Sequence, residues 1–278
     1  MPRGILRGVF LVLCACAWAG AARADGDGGT HYEIGGYIWA SSLASKVDTA
    51  QGESDTHISF SQLFDHLSGG LQARARGDWD DWSAVFDGTW AKLRVPKQSQ
   101  NVRVGPPVLG VQAGAEVSTS VNEYIFELNG GHRLFTFGSP FSNSPSDKRK
   151  LRGELYGGVR YWSVDPKITV DLSGPVHGAR TFRLGDRTEW VDPVVGLRFA
   201  ADLSSTVVFR IAGDVGGFNL GNYCSDFTWE QVTTLSWRFS ESWSTHFGYK
   251  FLDYRRDAGD SNQRMQMRGP FIALSYGF

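Results

Sequence analysis

Gly269-Pro270-Phe271-Ile272-Ala273-Leu274-Ser275-Tyr276-Gly277-Phe278 is the stretch on which the fold turns. Successive side chains of a strand point to opposite faces, so Ile272, Leu274, Tyr276 and Phe278 share one face and Phe271, Ala273, Ser275 and Gly277 the other. The first face is bulky and apolar; the second is mostly small. A long apolar stripe that ends on an aromatic suits a strand whose outer face meets lipid, where apolar residues point out and polar ones in.

This stretch resembles the last strand of Gram-negative outer-membrane β-barrel proteins, which ends in Phe after alternating apolar residues and is read by the barrel-assembly machinery. The resemblance implies a small monomeric barrel in the bacterial outer membrane. It implies contact with outer-membrane lipid and lipopolysaccharide, and a role for Leu274, Tyr276 and Phe278 as the assembly signal. Trp190-Val191-Asp192-Pro193-Val194-Val195-Gly196-Leu197-Arg198 is similar to a strand of poorly characterised members of that group and carries no activity with it.

At the other end, Arg3 and Arg7 precede the apolar run Val9–Leu13, and Ala22-Arg23-Ala24 offers a small-residue cleavage site before Asp25. Residues 1–24 read as a secretory signal peptide and 25–278 as a single barrel domain. An acylated Cys16 is the lipoprotein alternative. The leader's apolar run is too short for a spanning helix, which needs roughly 20 apolar residues. Loss of Arg3, Arg7 and Arg23 leaves 25 basic residues against 29 acidic ones, a formal net charge of −4. That balance argues against a nucleic-acid partner. Cys224 then stands without a disulfide partner, and a tolerated loop thiol is its simplest reading.

Alternation recurs along the chain. Tyr32 to Ala40 reads as a first strand, with Glu33, Tyr37 and Trp39 on the face opposite Tyr32, Ile34 and Ile38. Ser59 to Leu67 breaks the alternation and predicts a short helix capped by Ser59 in the first long loop, with Phe60, Leu63, Phe64 and Leu67 at helical spacing. A hairpin turns at Asp80-Asp81, and a Gly/Pro-rich loop is expected from Val95 to about Ala115. A strand from about Val121 to Leu134 carries His132 on its apolar face, tolerable at a membrane interface. Phe135 to Lys150 reads as a polar periplasmic insertion, Leu151 to Ser163 as a strand, and Asp165 to Asp186 as an extended hairpin turning at Ser173-Gly174-Pro175. The last third alternates most regularly, with short turns at Asp202–Ser205 and Ser240–Ser242. The tally is a closed antiparallel transmembrane barrel of about ten strands, with eight or twelve as alternatives. Pro193 and Pro270 lack ladder donors, so bulges are expected at both, with a register slip at Gly269-Pro270 that leaves Met265 and Met267 facing lipid.

A soluble ligand-binding barrel has the same alternation turned inside out. Aromatics at the ends of the apolar face (Trp79 and Trp82, Trp237 and Trp243, Tyr276 and Phe278) decide for the membrane, as does an apolar face nearly free of charge at strand centres, where Arg or Lys costs ~2–4 kcal/mol. The inward faces carry Glu33, Asp87, Glu123, Glu127, Glu154, Asp192, Asp214 and Glu230 against Arg74, Arg76, Arg133, Arg152, Arg160, Arg198, Arg210, Arg238 and Lys250. The signs nearly balance, and Arg suits bidentate pairing with carboxylates. A lumen largely plugged by a charge network, with a structural or surface-interaction role, is the leading reading; a narrow porin-like channel for small polar solutes is the second. An outer-membrane hydrolase is the third, resting on Ser244 and His246 on one face with Glu230 in position to orient the ring. No Cys pair, no His pair at ligand spacing and no phosphate loop point to a metal or a cofactor.

Overall fold

The computed structural model describes residues 30–49, 52–104, 111–141, 148–173, 180–221, 223–257 and 261–278. The leader lies outside them. Strands β1 (His31–Trp39), β4 (Leu67–Trp79), β5 (Trp82–Val104), β6 (Val111–Gly138), β7 (Lys150–Ser173), β9 (Thr188–Asp202), β10 (Val207–Gly216), β11 (Phe227–Arg238), β12 (Trp243–Asp257) and β13 (Ser261–Gly277) follow one another round a ring. The ring shuts where β13 pairs β1, Glu33 facing Gly277 and Trp39 facing Phe271. Phe278 itself completes the seam, since its N–H donates to the Tyr32 carbonyl and its carbonyl accepts from the Tyr32 N–H, both at 2.9 Å. The fold is thus a closed antiparallel barrel of ten strands, and closure removes the unpaired edges that an open sheet would leave in lipid. No helix among the described residues is long and apolar enough to cross a membrane.

Short turns gather at one end: Asp80-Asp81, with Asp80 in the left-handed region at φ 52° that Asp tolerates, and the connections after Asp202 and Arg238. The connection between β6 and β7, residues 139–149, also lies at this end, while the long extensions of β5, β6 and β7 stand at the other; we take the first end as periplasmic and the second as extracellular. Around the outside runs an apolar belt: Ile34, Leu128, Leu155, Val195, Phe247 and Ile272 are each about half exposed on strands whose alternate residues face inward. The predicted aromatics border it on the periplasmic side, with Trp243 edge-on to Tyr276 at 5.2 Å and Tyr276 stacked on Phe278 at 6.1 Å. His132 sits in that border against the Trp82 ring at 4.7 Å, as expected of an imidazole at the interface.

The structure corrects several expectations. Residues 95–104 and 111–115 are strand and not loop: the β5–β6 ladder continues from Val95 and Thr119 out to Val104 and Val111, with its one irregularity between Val95 and Gln98, around Pro96, and residues 105–110 lie outside the described residues. Phe135 to Gly138 extend β6, so the polar insertion begins at Ser139. Neither Pro193 nor Pro270 carries a bulge. Each sits within one ladder, Pro193 opposite Val159 and Pro270 opposite Tyr249, and turns its missing donor to the strand on the other side. The Pro193 carbonyl accepts from Gly217 just beyond the last β9–β10 pair, and the Pro270 carbonyl accepts from Ala40 at the gap where β13 changes partner. The register along β13 therefore does not slip, and Met265 and Met267 point inward, 8% and 6% exposed.

The chain interrupts its strand at Ala40-Ser41 and then continues along β13 in the same register, Trp39 facing Phe271 and Ser42 facing Arg268. Strands β2 (Ser42–Thr49) and β3 (Gly52–Ile58) form a hairpin that lies on the extracellular extension of β13, a feature the sequence reading missed. Gly269 stands beside the Ala40-Ser41 interruption, where an added Cβ would lie 2.0 Å from the Ala40 carbonyl. The predicted helix follows as α1 (Phe60–His66); Ser59 caps it and Gln62 returns the bond to the Ser59 N–H, a capping box. Strand β8 (Arg180–Leu184) folds back on the far end of β7, as the extended hairpin required. Its turn lies outside the described residues.

Candidate functional site

Inside the barrel the inward side chains change in kind with height. At mid-barrel lies a charged cluster centred on Arg160 of β7, which is fully buried. Its Nη2 donates to Glu127 Oε2 at 2.6 Å and to Asp214 Oδ1 at 3.0 Å, its Nε reaches Glu127 Oε2 at 2.9 Å, and Glu230 Oε2 is 3.5 Å away. Glu127, Asp214 and Glu230 bring oxygens within 4.8 Å of one another, and the cation they share is this guanidinium. Lys250 extends the cluster by bridging Glu230 at 3.2 Å and Asp87 at 3.3 Å, and Asp87 also takes Arg74 at 3.3 Å and the Tyr37 hydroxyl at 2.8 Å. The Tyr156 hydroxyl donates to Asp214 at 2.9 Å. Charges removed from water stay ionised at tolerable cost only when paired and hydrogen-bonded, and this set nearly satisfies itself.

A second cluster lies below. Glu154 accepts from Arg76 at 2.8 Å, from Ser83 at 2.7 Å and from Arg198, whose guanidinium also caps the Tyr156 ring 3.7 Å from its centre. Gly131 makes room for it, since a Cβ there would lie 2.1 Å from Glu154 Oε1.

Above Arg160, toward the extracellular end, the lumen fills with apolar groups: Trp39, Ile125, Trp162, Trp190, Leu252, Tyr254, Met265 and Met267 are all buried there. Trp162 and Trp190 stack at 5.5 Å, and Tyr254 meets both edge-on at 4.9 and 5.1 Å. Asp192 belongs to this layer and not to the salt-bridge network: it accepts from Trp162 Nε1 at 2.8 Å and from the Ser225 backbone and hydroxyl at 2.6 and 2.8 Å. Glu123 stands on the same inward face, with an Oε1 that makes no hydrogen bond.

The periplasmic end is different again. There a cavity of about 680 Å³ opens, lined among others by Arg152, Asp202, Arg210, Arg238 and His246. Arg152 pairs with Asp202, Arg210 donates to the Ser236 hydroxyl, and Arg238 donates to the Ser205 carbonyl at 2.9 Å. Arg133 is engaged at the Asp80-Asp81 turn, 3.3 Å from Asp81, and not with the mid-barrel clusters. His246 is not oriented by Glu230, which is committed to Lys250. Its Nδ1 meets Ser236 Oγ at 2.8 Å, and its Nε2 meets Ser275 Oγ at 2.7 Å and Glu33 Oε1 at 3.2 Å. Ser244 lines the same cavity without joining that set.

By fold, the chain is a closed ten-stranded β-barrel with an apolar outer belt, the architecture of outer-membrane β-barrels. No family model and no curated protein sequence matches the chain. Among solved structures it is similar to the outer membrane protease OmpT from Escherichia coli, at 8% identity and a TM-score of 0.53, over 92% of this chain and 99% of that one. The translocator domain of the autotransporter NalP from Neisseria meningitidis matches at 12% identity and a TM-score of 0.37, over 98% and 94% of the two chains. The toluene transporter TodX from P. putida matches at 9% identity and a TM-score of 0.29, over 91% and 90%. At such identities the OmpT likeness speaks for the shared barrel and not for a shared activity.

Proposed function

We propose that the protein is a non-catalytic outer-membrane barrel whose lumen is closed, and that its role is structural or is exercised by the extensions on its extracellular side. The observation that carries this reading is the layering at the centre: Arg160 buried among three carboxylates, directly beneath stacked Trp162 and Trp190. A barrel of ten strands is only a little wider than the eight-stranded case, which side chains just fill, so two such layers suffice to stop solute. His246 belongs to the wall in this reading. Its two hydroxyl neighbours, Ser275 and Ser236, are 4% and 5% exposed, and Ser236 already accepts from Arg210. Planar-bilayer recording of the refolded protein tests the proposal. Little or no conductance is expected, and a steady ohmic pore would make it a channel for small polar solutes.

The same reading assigns Leu274, Tyr276 and Phe278 to recognition by the barrel-assembly machinery, and outer-membrane lipid and lipopolysaccharide to the apolar belt of a monomer. Deleting Phe278 removes both of its seam bonds to Tyr32 as well as the terminal ring, so membrane assembly should fall far more than in Ser275→Ala. Outer-membrane fractionation with heat-modifiable gel mobility reads the difference, and equal assembly of the two variants contradicts the assignment.

A further inference from the structure

The periplasmic cavity has a charge pattern that closing the lumen does not require. Lys148, Arg149, Arg152, Arg210 and Arg238 line it against only three acids, Glu33, Asp202 and Glu241. Two of those acids are occupied: Asp202 holds Arg152 and accepts from the Lys150 N–H at 2.9 Å, and Glu33 meets His246. Glu33 is also the acid whose charge reaches Arg210. Yet among the described residues the guanidiniums of Arg210 and Arg238 donate to neutral oxygens, Ser236 Oγ and the Ser205 carbonyl. Both residues line the same cavity of about 680 Å³, far larger than the roughly 30 Å³ that one water occupies. At mid-barrel, by contrast, Arg160 and Lys250 are both in ion pairs with carboxylates.

We propose that this cavity is an anion site, built for a tetrahedral oxyanion of the phosphate class that lies between Arg210 and Arg238. The planar guanidinium presents parallel N–H donors that match phosphate oxygens, and two such groups with one net positive wall supply both geometry and charge. Hydroxyls of Ser204, Ser242 and Ser244 on the same lining offer further neutral donors. The phosphate is either free in the periplasm or the headgroup of a lipid in the inner leaflet.

Calorimetric titration of the refolded protein in a zwitterionic detergent, with inorganic phosphate in one arm and a short-chain phosphatidic acid in the other, tests the site. Saturable binding is expected. Arg210→Gln and Arg238→Gln should each weaken it at least about tenfold, the loss of a charge-assisted pair, while Arg210→Lys weakens it less. Arg238 sits beside the mouth turn, so its variant folds even where replacing Arg210 disturbs the wall; heat-modifiable mobility verifies both. Binding of phosphate alone identifies the free anion, and binding of phosphatidic acid alone identifies the headgroup. No saturable binding of either probe overturns the proposal, and so does unchanged binding by a folded Arg238→Gln.

Discussion

The two ends of the lumen are built on the same strands and obey the same alternation, yet one is dry and the other wet. At the extracellular end the inward positions are Trp162, Trp190 and Tyr254, ring against ring, with Trp39 in the same cluster, and the indole N–H groups are satisfied by Asp192, Ser225 and the Gly269 carbonyl. At the periplasmic end the inward positions are Arg, Ser and His around an open cavity. Arg160 lies at the boundary. The difference teaches that "polar inside" is too coarse a rule for a small barrel. Where the interior is to be filled, large aromatic rings with one polar atom each do so more densely than charged chains, and the few acids among them, such as Asp192, are held by indole and hydroxyl donors.

The sharpest way to break this comparison is at the boundary. Arg160→Ala leaves Glu127, Asp214 and Glu230 without their common counter-ion in a buried site, and should cost about 4–5 kcal/mol of stability. Trp162→Ala removes the ring that packs on Trp190 and Tyr254 and should cost about 3–4 kcal/mol, largely as an unfilled cavity. Urea-induced loss of heat-modifiable mobility in detergent measures both. A loss under 1 kcal/mol in either would mean that water reaches the upper lumen and that it is not dry.

How much of this was legible in the chain follows from the same alternation. The ring of ten strands could be read because lipid enforces the outer pattern at every alternate residue, so Ile272, Leu274 and Tyr276 announce themselves. The charged cluster could be read as a set, because Arg160, Glu127, Asp214, Glu230 and Lys250 all fall on the opposite parity. Which acid meets which base could not, since partners come from strands far apart in sequence, as Lys250 and Asp87 do. The aromatic layer did leave a signal: Trp162 shares parity with Arg160, Trp190 with Asp192, and Tyr254 with Lys250. Those rings stand on the supposedly polar face, and their presence there means a filled lumen. The β2–β3 hairpin was missed for a different reason. Its strands lie outside lipid, where nothing imposes alternation, and the run Ser42–Thr49 reads as loop without its partner on β13.

A smaller effect sharpens the comparison from the wet side. Arg152 and Asp202 form an ion pair much like those at mid-barrel on paper, but the Arg152 side chain is 35% exposed at the cavity mouth. Water there supports each charge without the other, so Arg152→Ala should change stability by only ~0–1 kcal/mol, and added salt should reduce even that. A loss comparable to that of Arg160→Ala would show the periplasmic end to be as dry as the centre.

The smallest effect concerns orientation. Beyond residue 24 the chain has a single cysteine, Cys224, in the connection between β10 and β11 at the end assigned to the cell exterior. Its thiol donates to the Val191 carbonyl at 3.0 Å. Burial, followed by the nearby charge of Asp192, pushes that thiol above its ordinary range. A raised pKa means less thiolate at any given pH, so alkylation of the folded protein at pH 8 should be slower than that of the urea-unfolded chain and should rise toward it as the pH climbs past the ordinary thiol range. Asp192→Asn removes the negative charge and should speed the reaction at pH 8 by a few-fold. Equal rates in the folded and unfolded protein would contradict the local environment described here. The same thiol reports which way the barrel stands: a membrane-impermeant maleimide should label Cys224 on intact cells. Labelling only after the outer membrane is permeabilised would invert the two ends, placing the aromatic layer toward the periplasm and the basic cavity toward the medium.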